Sequence, residues 1–253
     1  MTSYAPVTEI PGSGATQEQF MMMAARYRFA ADLTTDRDVL EVACGPGIGL
    51  GYLARGARRV VGGDVDEHLL RTAQSHYGQR IPLARLDAHA LPFADRSFDV
   101  VILFEALYYL REPIRFLVEA RRVLRPCGLV VISTVNKEWR GFNPSPFSVR
   151  YFSAGELRAL LESAGFVVDL LGGFPSTTAT VAGKLLALAR AGAIRVHLIP
   201  RTMRGKQVLK RLIYGPLRTL PAELAEAAAE PLVPLRGNGA VHEVKILYAL
   251  GRI

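Results

Sequence analysis

Apolar positions in this chain follow two alternating patterns. Short runs rich in apolar residues, which are typical of buried strands, lie at 39–42, 58–64, 81–86, 98–104 and 129–134. Before and between them apolar residues recur at helical spacing, which predicts helices over 17–31, 48–55, 66–77 and 114–124. This alternation indicates parallel strand–helix–strand units, so we expect an α/β fold with a doubly wound, mostly parallel sheet and helices on both faces.

A capping box marks the next helix. Ser153 and Glu156 stand at the spacing at which a serine accepts from a backbone N–H while the glutamate reaches back, which predicts a helix from there to Ala164. Strands are predicted over 166–171 and 243–250.

A chain of 253 residues can bury one large core, so we expect a single domain. Its parts are a tail and cover helix (1–35), a ligand-binding core (36–172), an insertion (173–242) and a final strand (243–253).

The insertion carries most of the positive charge. Between 170 and 222 there are nine Lys or Arg residues and no Asp or Glu, against a net charge of +8 for the whole chain. Leucine, isoleucine and valine lie among these bases at helical spacing, with breaks at Gly192, Pro200 and Gly205, which predicts basic amphipathic helices. Such helices can form a substrate lid, a docking surface for an anionic substrate or carrier protein, or a peripheral contact with an anionic membrane. A solvated helical face is the simpler alternative, and nucleic acid is the least favoured partner because aromatic residues are sparse here.

Composition narrows the class of protein further. No apolar run approaches the roughly twenty residues needed to span a bilayer, and the N-terminus lacks a secretory pattern, so we expect an intracellular, cytoplasmic location. The two cysteines, Cys44 and Cys127, are far apart and have no metal-ligand spacing. Neither a disulfide framework nor a metal site is therefore expected.

The main chemical signal is a strand that carries Glu41 and runs into a turn with Gly45, Gly47 and Gly49. Glycine permits positive φ and a close approach of the backbone to a ligand, which favours a tight strand-to-helix turn beneath a bound molecule. Leu50 stands where a dinucleotide fingerprint requires its third glycine, and no Gly-Lys-Ser/Thr follows. Neither a nicotinamide site nor a phosphate-binding P-loop is therefore supported. The acid before the turn points instead to a cationic group on the ligand.

Two further acids follow strands. Asp64 ends the second strand, at a position where a carboxylate can accept both hydroxyls of an unphosphorylated ribose. Asp87 and Ala88 follow the third strand. Together these residues predict an adenosine-like ligand, although aspartates at strand ends are also common as solvated turn residues and helix caps.

In their order and spacing these motifs resemble those of class I S-adenosylmethionine-dependent methyltransferases of the UbiE-like, type 11 group, over about residues 36–172 and the final strand. The resemblance implies a Rossmann-like sheet of seven strands. It implies S-adenosylmethionine as the cofactor and S-adenosylhomocysteine as its product. It also implies transfer of a methyl group to O, N or C of a small organic acceptor.

The same resemblance assigns each strand-end residue to a part of the methyl donor. The parts are the methionine moiety (Glu41, Gly45, Gly47 and Gly49), the ribose (Asp64), the adenine (Val65, Asp87 and Ala88) and the surroundings of the sulfonium (Phe104 and Glu105). On the N-terminal helix, Arg26 and Tyr27 would cover the donor, with Arg26 near its carboxylate. Plain core packing of that helix is the alternative.

Catalytic candidates follow the third and fourth strands. Tyr109 stands where relatives often have a histidine, which puts a histidine-base mechanism in doubt, and His89 is a second candidate. Methyl transfer needs alignment and desolvation before it needs acids or bases, so each of these side chains is as readily a packing residue. The candidates for an acceptor pocket with an apolar or aromatic surface are Tyr108, Trp139 and Tyr151.

Two other classes of function stay open at this point. One is a non-catalytic module that binds S-adenosylmethionine and uses the basic insertion as its working surface. The other is a nucleic-acid methyltransferase, which would depend on the same insertion and would bind with a steep salt dependence.

Overall fold

The computed structural model describes residues 8–145, 147–176, 217–237 and 239–253. The helices are α1 (Gln17–Thr34), α2 (Leu50–Leu53), α3 (Glu67–Tyr77), α4 (Pro113–Val123) and α5 (Ala154–Ser163), and a 3₁₀ turn spans Leu107–Tyr109. The first five strands are β1 (Gly14–Ala15), β2 (Asp38–Val42), β3 (Arg59–Asp64), β4 (Leu83–Arg85) and β5 (Phe98–Phe104). The remaining strands are β6 (Leu124–Val135), β7 (Val167–Pro175), β8 (Arg218–Thr219), β9 (Val233–Pro234) and β10 (Val244–Arg252).

The described residues build one large sheet, in the strand order β4-β3-β2-β5-β6-β10-β7-β9. The strands from β4 to β6 pair in parallel, whereas β10 runs antiparallel to both of its neighbours, β6 and β7. From β2 the chain adds β3 and then β4 on one side of β2, and it then crosses back to place β5 on the other side of β2. Ligands of open α/β sheets bind outside the carboxyl ends of the strands at such a reversal.

This architecture confirms the predicted α/β fold with a mostly parallel sheet. Over the described part of the chain the sheet has eight strands instead of seven, because β9 adds to the outer edge of β7. Within the predicted insertion, the described residues 217–237 form two short strands and irregular chain with no helix, so a largely helical insertion stays a prediction. The basic amphipathic segment at 177–216, with the partners expected for it, lies outside the described residues.

Local hydrogen bonds set the starts of two helices. The Thr16 hydroxyl accepts from the backbone N–H of Gln19 at 3.1 Å, and the Gln19 side chain accepts from the Thr16 N–H at 3.0 Å, which makes a capping box before α1. Ser153 and Glu156 form the predicted capping box of α5, with bonds of 2.8 and 3.2 Å. Each box satisfies two backbone donors that the helix itself leaves unpaired.

The core lies on both faces of the central strands. Along β5, Val101 and Leu103 face the side covered by α4 and α5, whereas Val100 and Ile102 face the side covered by α1 and α3. All four are fully buried, as a parallel sheet with helices on both faces requires. Among the helices that the structure describes, none combines the length and the apolar character that crossing a membrane requires.

An ion-pair network joins the amino ends of the central strands. The Asp38 carboxylate lies 2.9 Å from Arg58 and 2.9 Å from Arg125, and both guanidinium groups also contact Asp99, at 2.8 and 2.9 Å. The hydrogen bond from Arg58 is the main reason that the pKa of Asp38 falls to about 2. This edge of the sheet is therefore a stabilising feature, and the opposite edge is free to carry a site.

Candidate functional site

A cavity of about 930 Å³ opens at the carboxyl edge of the parallel strands. Pockets for a single drug-sized ligand have volumes of roughly 300–1,000 Å³, so this cavity lies at the upper end of that range. It has room for a nucleoside-type ligand with a small second molecule beside it. The predicted site residues that line it are Arg26, Tyr27, Glu41, Gly45, Asp64, Val65, Asp87, Ala88, His89, Phe104, Glu105, Tyr108 and Tyr109.

Glu41 on β2 is the most deeply buried acid of the cavity wall, with an exposed fraction of 1%. Its Oε1 accepts a 2.7 Å hydrogen bond from the Tyr27 hydroxyl, and its Oε2 has no partner among the described residues. Burial raises the pKa of Glu41 to about 7, although the bond from Tyr27 opposes this shift. A cationic ligand group would favour the ionised carboxylate and provide a partner for Oε2.

Asp64 ties the glycine turn to the start of α3. Its Oδ2 accepts from the Gly45 N–H and its Oδ1 accepts from the Asp66 N–H, both at 2.8 Å. Burial raises the pKa of Asp64, while these backbone donors lower it. Each carboxylate oxygen has two lone pairs, so the group can also accept from two ligand hydroxyls.

The three glycines of the turn have different surroundings. A Cβ on Gly49 would lie 2.0 Å from the Tyr27 ring, and one on Gly47 would lie 3.0 Å from the Tyr77 ring. Gly45, with a φ of 56°, is the one that lines the cavity. Gly47 and Gly49 do not line the cavity and let α1 and α3 pack against the turn, so a direct role for them in holding the methionine moiety stays a prediction.

At the far end of β4, Asp87 and His89 form a pair at the cavity wall. The His89 Nδ1 and its backbone N lie 2.7 and 2.9 Å from the same Asp87 oxygen, and the backbone donor is the main reason that the pKa of Asp87 is lowered. The His89 Nε2 accepts from the Glu112 N–H at 3.4 Å. Because both ring nitrogens have partners, this arrangement does not favour His89 as a free base. Val65, which is 41% exposed, offers an apolar surface beside Asp64.

Glu105 directly follows β5 and has a φ of 50°, which is uncommon for a residue other than glycine. Its carboxylate accepts from the Tyr108 hydroxyl and the Ser133 hydroxyl, each at 3.3 Å. Burial raises the pKa of Glu105, and the positive charge of Arg26 opposes the shift. Phe104, the last residue of β5, packs edge-on against the Tyr27 ring, with 5.4 Å between the centroids.

The aromatic candidates divide into two layers. Tyr108 and Tyr109 line the cavity, whereas Tyr151 stacks behind Tyr108 with 4.7 Å between the centroids and an interplanar angle of 26°. Trp139 does not line the cavity, and its ring packs with Lys245, whose Nζ lies 5.3 Å from the centroid. The prediction of direct acceptor contacts is therefore not supported for Trp139 and Tyr151.

Several polar residues of the cavity wall were not predicted from the sequence, and three of them lie near Arg26 and Glu105. Glu9 forms an ion pair with Arg26, and Ser133 and Tyr248 face the cavity from β6 and β10. Tyr248 pairs directly with Ser133 in the antiparallel register, which brings together residues more than a hundred positions apart. For Ser133 and Tyr248 the available signal was a polar residue inside an apolar strand run, which is common in strands that do not form a site, whereas Glu9 lies outside any strand.

Comparison with known proteins connects this geometry to a family. Residues 40–132 match a family model described as "Methyltransferase domain". A probable S-adenosylmethionine-dependent methyltransferase of Mycolicibacterium smegmatis is 38% identical over 172 residues, which cover 65% of this chain and 66% of the relative. One from Mycobacterium tuberculosis, with the same description, is 39% identical over 147 residues, which cover 56% of this chain and 53% of the relative. The chain thus spans between about half and two thirds of the length of these relatives.

Solved structures share the fold. A Thermotoga maritima protein described as a methyltransferase, possibly a histamine N-methyltransferase, superposes with a TM-score of 0.59 at 18% identity and 93% coverage of both chains. The [4+2]-cyclase SpnF superposes with a TM-score of 0.61 at 21% identity, covering 96% of this chain and 84% of the cyclase. At these identities the similarity concerns the fold alone, and one fold can carry different chemistry.

Proposed function

We propose that this chain, which belongs to the class I S-adenosylmethionine-dependent methyltransferase family and to its UbiE-like, type 11 group, transfers the methyl group of S-adenosylmethionine to a small organic acceptor. The observation that carries the proposal is the pair of buried carboxylates, Glu41 and Asp64, on either side of the Gly45 turn. The Glu41 carboxylate suits a cationic group, and the Asp64 carboxylate suits a pair of hydroxyls. S-Adenosylmethionine carries a cationic amino group and two ribose hydroxyls.

The residues that would hold the donor are arranged along the strand ends. Glu41 and Gly45 bind the methionine moiety, and Asp64 accepts the ribose hydroxyls. Val65 packs on the adenine, and Asp87 and Ala88 read its edge. The unpartnered Oε2 of Glu41 supports this fit, because a buried carboxylate oxygen calls for a donor that the described residues do not supply.

When bound, the donor supplies an electrophilic methyl group on a positively charged sulfur. The chain then has to align the acceptor with that group and exclude water. Helix α1 covers the turn through Tyr27, and Phe104 packs against the same ring, so both side chains close the apolar wall near the donor. Glu105 and Tyr108 lie next along the chain and face the acceptor.

The acceptor atom is O, N or C of a small molecule. A ubiquinone biosynthesis O-methyltransferase of a Ruegeria species, 29% identical over 160 residues, is one relative whose described activity fits a small acceptor. A non-catalytic module that binds S-adenosylmethionine is the second candidate, since one fold can carry different functions. Nucleic-acid methylation would depend on the basic segment outside the described residues.

Donor binding is tested by calorimetry with S-adenosylhomocysteine. Asp64→Ala should weaken binding by about 1–3 kcal/mol because two ribose hydroxyls lose their acceptor. Asp64→Asn, which keeps one acceptor oxygen, should fall between the wild type and Asp64→Ala. Asp169→Asn, at an exposed acid paired with Arg252, is the matched control and should bind as the wild type does. Equal affinities for all four proteins would contradict the proposal.

Turnover separates the enzyme from the module. An enzyme releases S-adenosylhomocysteine from S-adenosylmethionine only when an acceptor is present, and mass spectrometry then finds an acceptor heavier by one methyl group. Tight donor binding without turnover, over a broad panel of phenols, amines and carbon acids, would favour the module.

A further inference from the structure

Three neighbouring strands bring polar side chains together at one part of the cavity. The Glu105 N–H after β5 donates to the Ser133 carbonyl at 2.9 Å, and the Ser133 hydroxyl donates to the Glu105 carboxylate. Tyr248 on β10 is the direct cross-strand partner of Ser133, so the two side chains share one face of the sheet. All three residues line the cavity.

Helix α1 adds a cation to this cluster. Arg26 lines the same cavity and forms an ion pair with Glu9. The Arg26 Nε and the Tyr248 hydroxyl are both buried, and neither has a hydrogen-bond partner within the described part of the chain. Unpaired buried donors are rare in native structures, and in a ligand cavity they point to an acceptor atom on the ligand.

Glu105 has the features of a proton acceptor. The two hydrogen bonds that it receives are long, at 3.3 Å each, and its backbone is held at a φ that costs free energy. The groups that face it are Arg26 and Glu9 from the N-terminal region, Tyr108 from the 3₁₀ turn, and Ser133 and Tyr248 from the sheet. Burial raises the pKa of its carboxyl group, which strengthens it as a base.

We propose that this cluster is the acceptor subsite for a neutral phenol, in which Glu105 is the general base and Arg26 and Tyr248 bind the phenolic oxygen. The proposal rests on the proposed function and names the acceptor class. The phenolic O–H bond breaks and its proton goes to the Glu105 carboxylate. A lone pair of the oxygen forms the new bond to the methyl carbon while the carbon–sulfur bond breaks and its electron pair stays on sulfur. The products are an aryl methyl ether and neutral S-adenosylhomocysteine.

A hydroxyl group matches the hydrogen-bonding capacity of the cluster. It donates one hydrogen bond, which suits Glu105, and has two lone pairs, which suit the Arg26 Nε–H and the Tyr248 O–H. Once the proton has left, a third lone pair is available to the methyl group. An amine, in contrast, offers one lone pair and leaves a buried donor unpaired.

The charge and the lining of the cluster also favour a particular kind of acceptor. Among the described residues the charged groups that face Glu105 are Glu9 and Arg26, so the cluster should bind a neutral acceptor more tightly than an anionic one. Apolar and aromatic side chains around the cluster, among them Met22, Ile246 and Tyr108, suit a ring. A carboxylate removes a proton from a phenol far more readily than from an aliphatic alcohol, because the phenol is the stronger acid.

Two phenols of different acidity test the proposal. The full-length protein is given S-adenosylmethionine with 4-methylphenol, which needs a base, or 4-nitrophenol, which is already ionised at about pH 8, and the methyl ethers are measured by mass spectrometry. Glu105→Gln should slow methylation of 4-methylphenol by roughly 10²–10⁴-fold and that of 4-nitrophenol by less than about tenfold. Tyr248→Phe and Arg26→Lys should slow both by about tenfold. The exposed Glu162→Gln is the control and should change neither rate.

Calorimetry with S-adenosylhomocysteine separates the two proposals. The affinities of Glu105→Gln and Glu105→Asn for S-adenosylhomocysteine should lie within about threefold of the wild-type value, which also shows that both variants fold. Asparagine serves as the second variant because it tolerates the positive φ at this position. Three results would overturn the phenol subsite and leave the methyltransferase assignment standing. They are equal slowing of both phenols by Glu105→Gln, methylation of 4-methylaniline but of neither phenol, and no ether from a protein that binds the donor. A wild type that does not bind the donor would instead remove the proposed function.

Discussion

The hydroxyl of Tyr27 donates a 2.7 Å hydrogen bond to the carboxylate of Glu41, and both side chains are buried. Tyr27 lies on α1 and Glu41 on β2, so this bond ties the helix that covers the cavity to the strand that carries its deepest acid. The contact requires a residue without a Cβ at position 49, where the Tyr27 ring lies against the backbone. The cover helix and the glycine turn therefore depend on one another.

Removing this hydrogen bond should weaken donor binding. In Tyr27→Phe the Glu41 carboxylate loses its one described partner, so its pKa rises further and a smaller fraction is ionised at neutral pH. We expect the affinity for S-adenosylhomocysteine at pH 7 to fall by about 1–2 kcal/mol, measured by calorimetry. Tyr52→Phe on α2 is the control because the Tyr52 ring packs against Arg55 on the surface. An unchanged affinity in Tyr27→Phe would argue that the bond does not prepare Glu41.

Donor binding should release a proton below neutral pH. Burial holds the pKa of Glu41 near 7 in the ligand-free protein, so most of the carboxyl groups are protonated at about pH 6. A cationic amino group favours the ionised form, so the proton should leave on binding, and little release should remain at about pH 8. Calorimetry in buffers of different ionisation enthalpy measures this number of protons. The Glu41→Gln variant should show no such pH dependence.

The same acid should reduce the stability of the ligand-free protein. Its folded pKa of about 7 lies above the ordinary value of 4.5, so the folded state binds the proton more tightly than the unfolded state does. The free energy of unfolding should therefore fall as the pH rises from about 4.5 to 7, and the full cost applies above pH 7. At pH 8 Glu41→Gln should be more stable than the wild type by about 1–3 kcal/mol, and this gain should be largely absent near pH 4. Denaturant unfolding at both pH values measures the difference.

Gly49→Ala should disturb the cover helix. The added Cβ would lie 2.0 Å from the buried Tyr27 ring, so the helix or the turn has to move. Overpacking of this kind costs about 1–3 kcal/mol of unfolding free energy, and donor affinity should fall with it because Tyr27 leaves Glu41. Gly239→Ala is the control, since a Cβ there meets no atom within 4 Å. Equal stability of the two variants in urea would contradict the close packing of Tyr27 on the turn.

Acid should weaken the amino edge of the sheet through Asp38. Arg58 and the other partners lower its folded pKa to about 2 from an ordinary 3.8, so the ion pairs contribute their full stability above about pH 4 and lose it as the pH falls toward 2. Asp38→Asn should lower the unfolding free energy by about 1–3 kcal/mol at pH 7, and by much less near pH 2. Asp32→Asn, at an exposed acid paired with Arg28, should have little effect at either pH.

Much of the donor-binding edge of the cavity could be predicted from the sequence. Glu41, Gly45, Asp64 and Asp87 stand at or just after strand ends in the sequence, and parallel strands end at one edge of a sheet. A strand pattern in the right order is therefore enough to bring such residues to one cavity. The capping box of Ser153 and Glu156 was equally accessible, because its hydrogen bonds join residues three positions apart.

Contacts between distant segments were decided only by the tertiary structure. The pairing of Tyr248 with Ser133 depends on the register of β10. That the Arg26 Nε and the Tyr248 hydroxyl find no partner among the described residues depends on how α1 packs over the sheet. The packing contact of Gly49 could not be predicted from the sequence because its neighbour in space, Tyr27, is 22 positions away along the chain. The sequence by itself determined the succession of strands and helices along the chain, because hydrophobic periodicity is a local pattern. It also determined which acids stand at the strand ends, because these are read directly from the residues. Which side chains then share a cavity, and which atoms remain without a partner there, depends on packing between elements that no local pattern encodes.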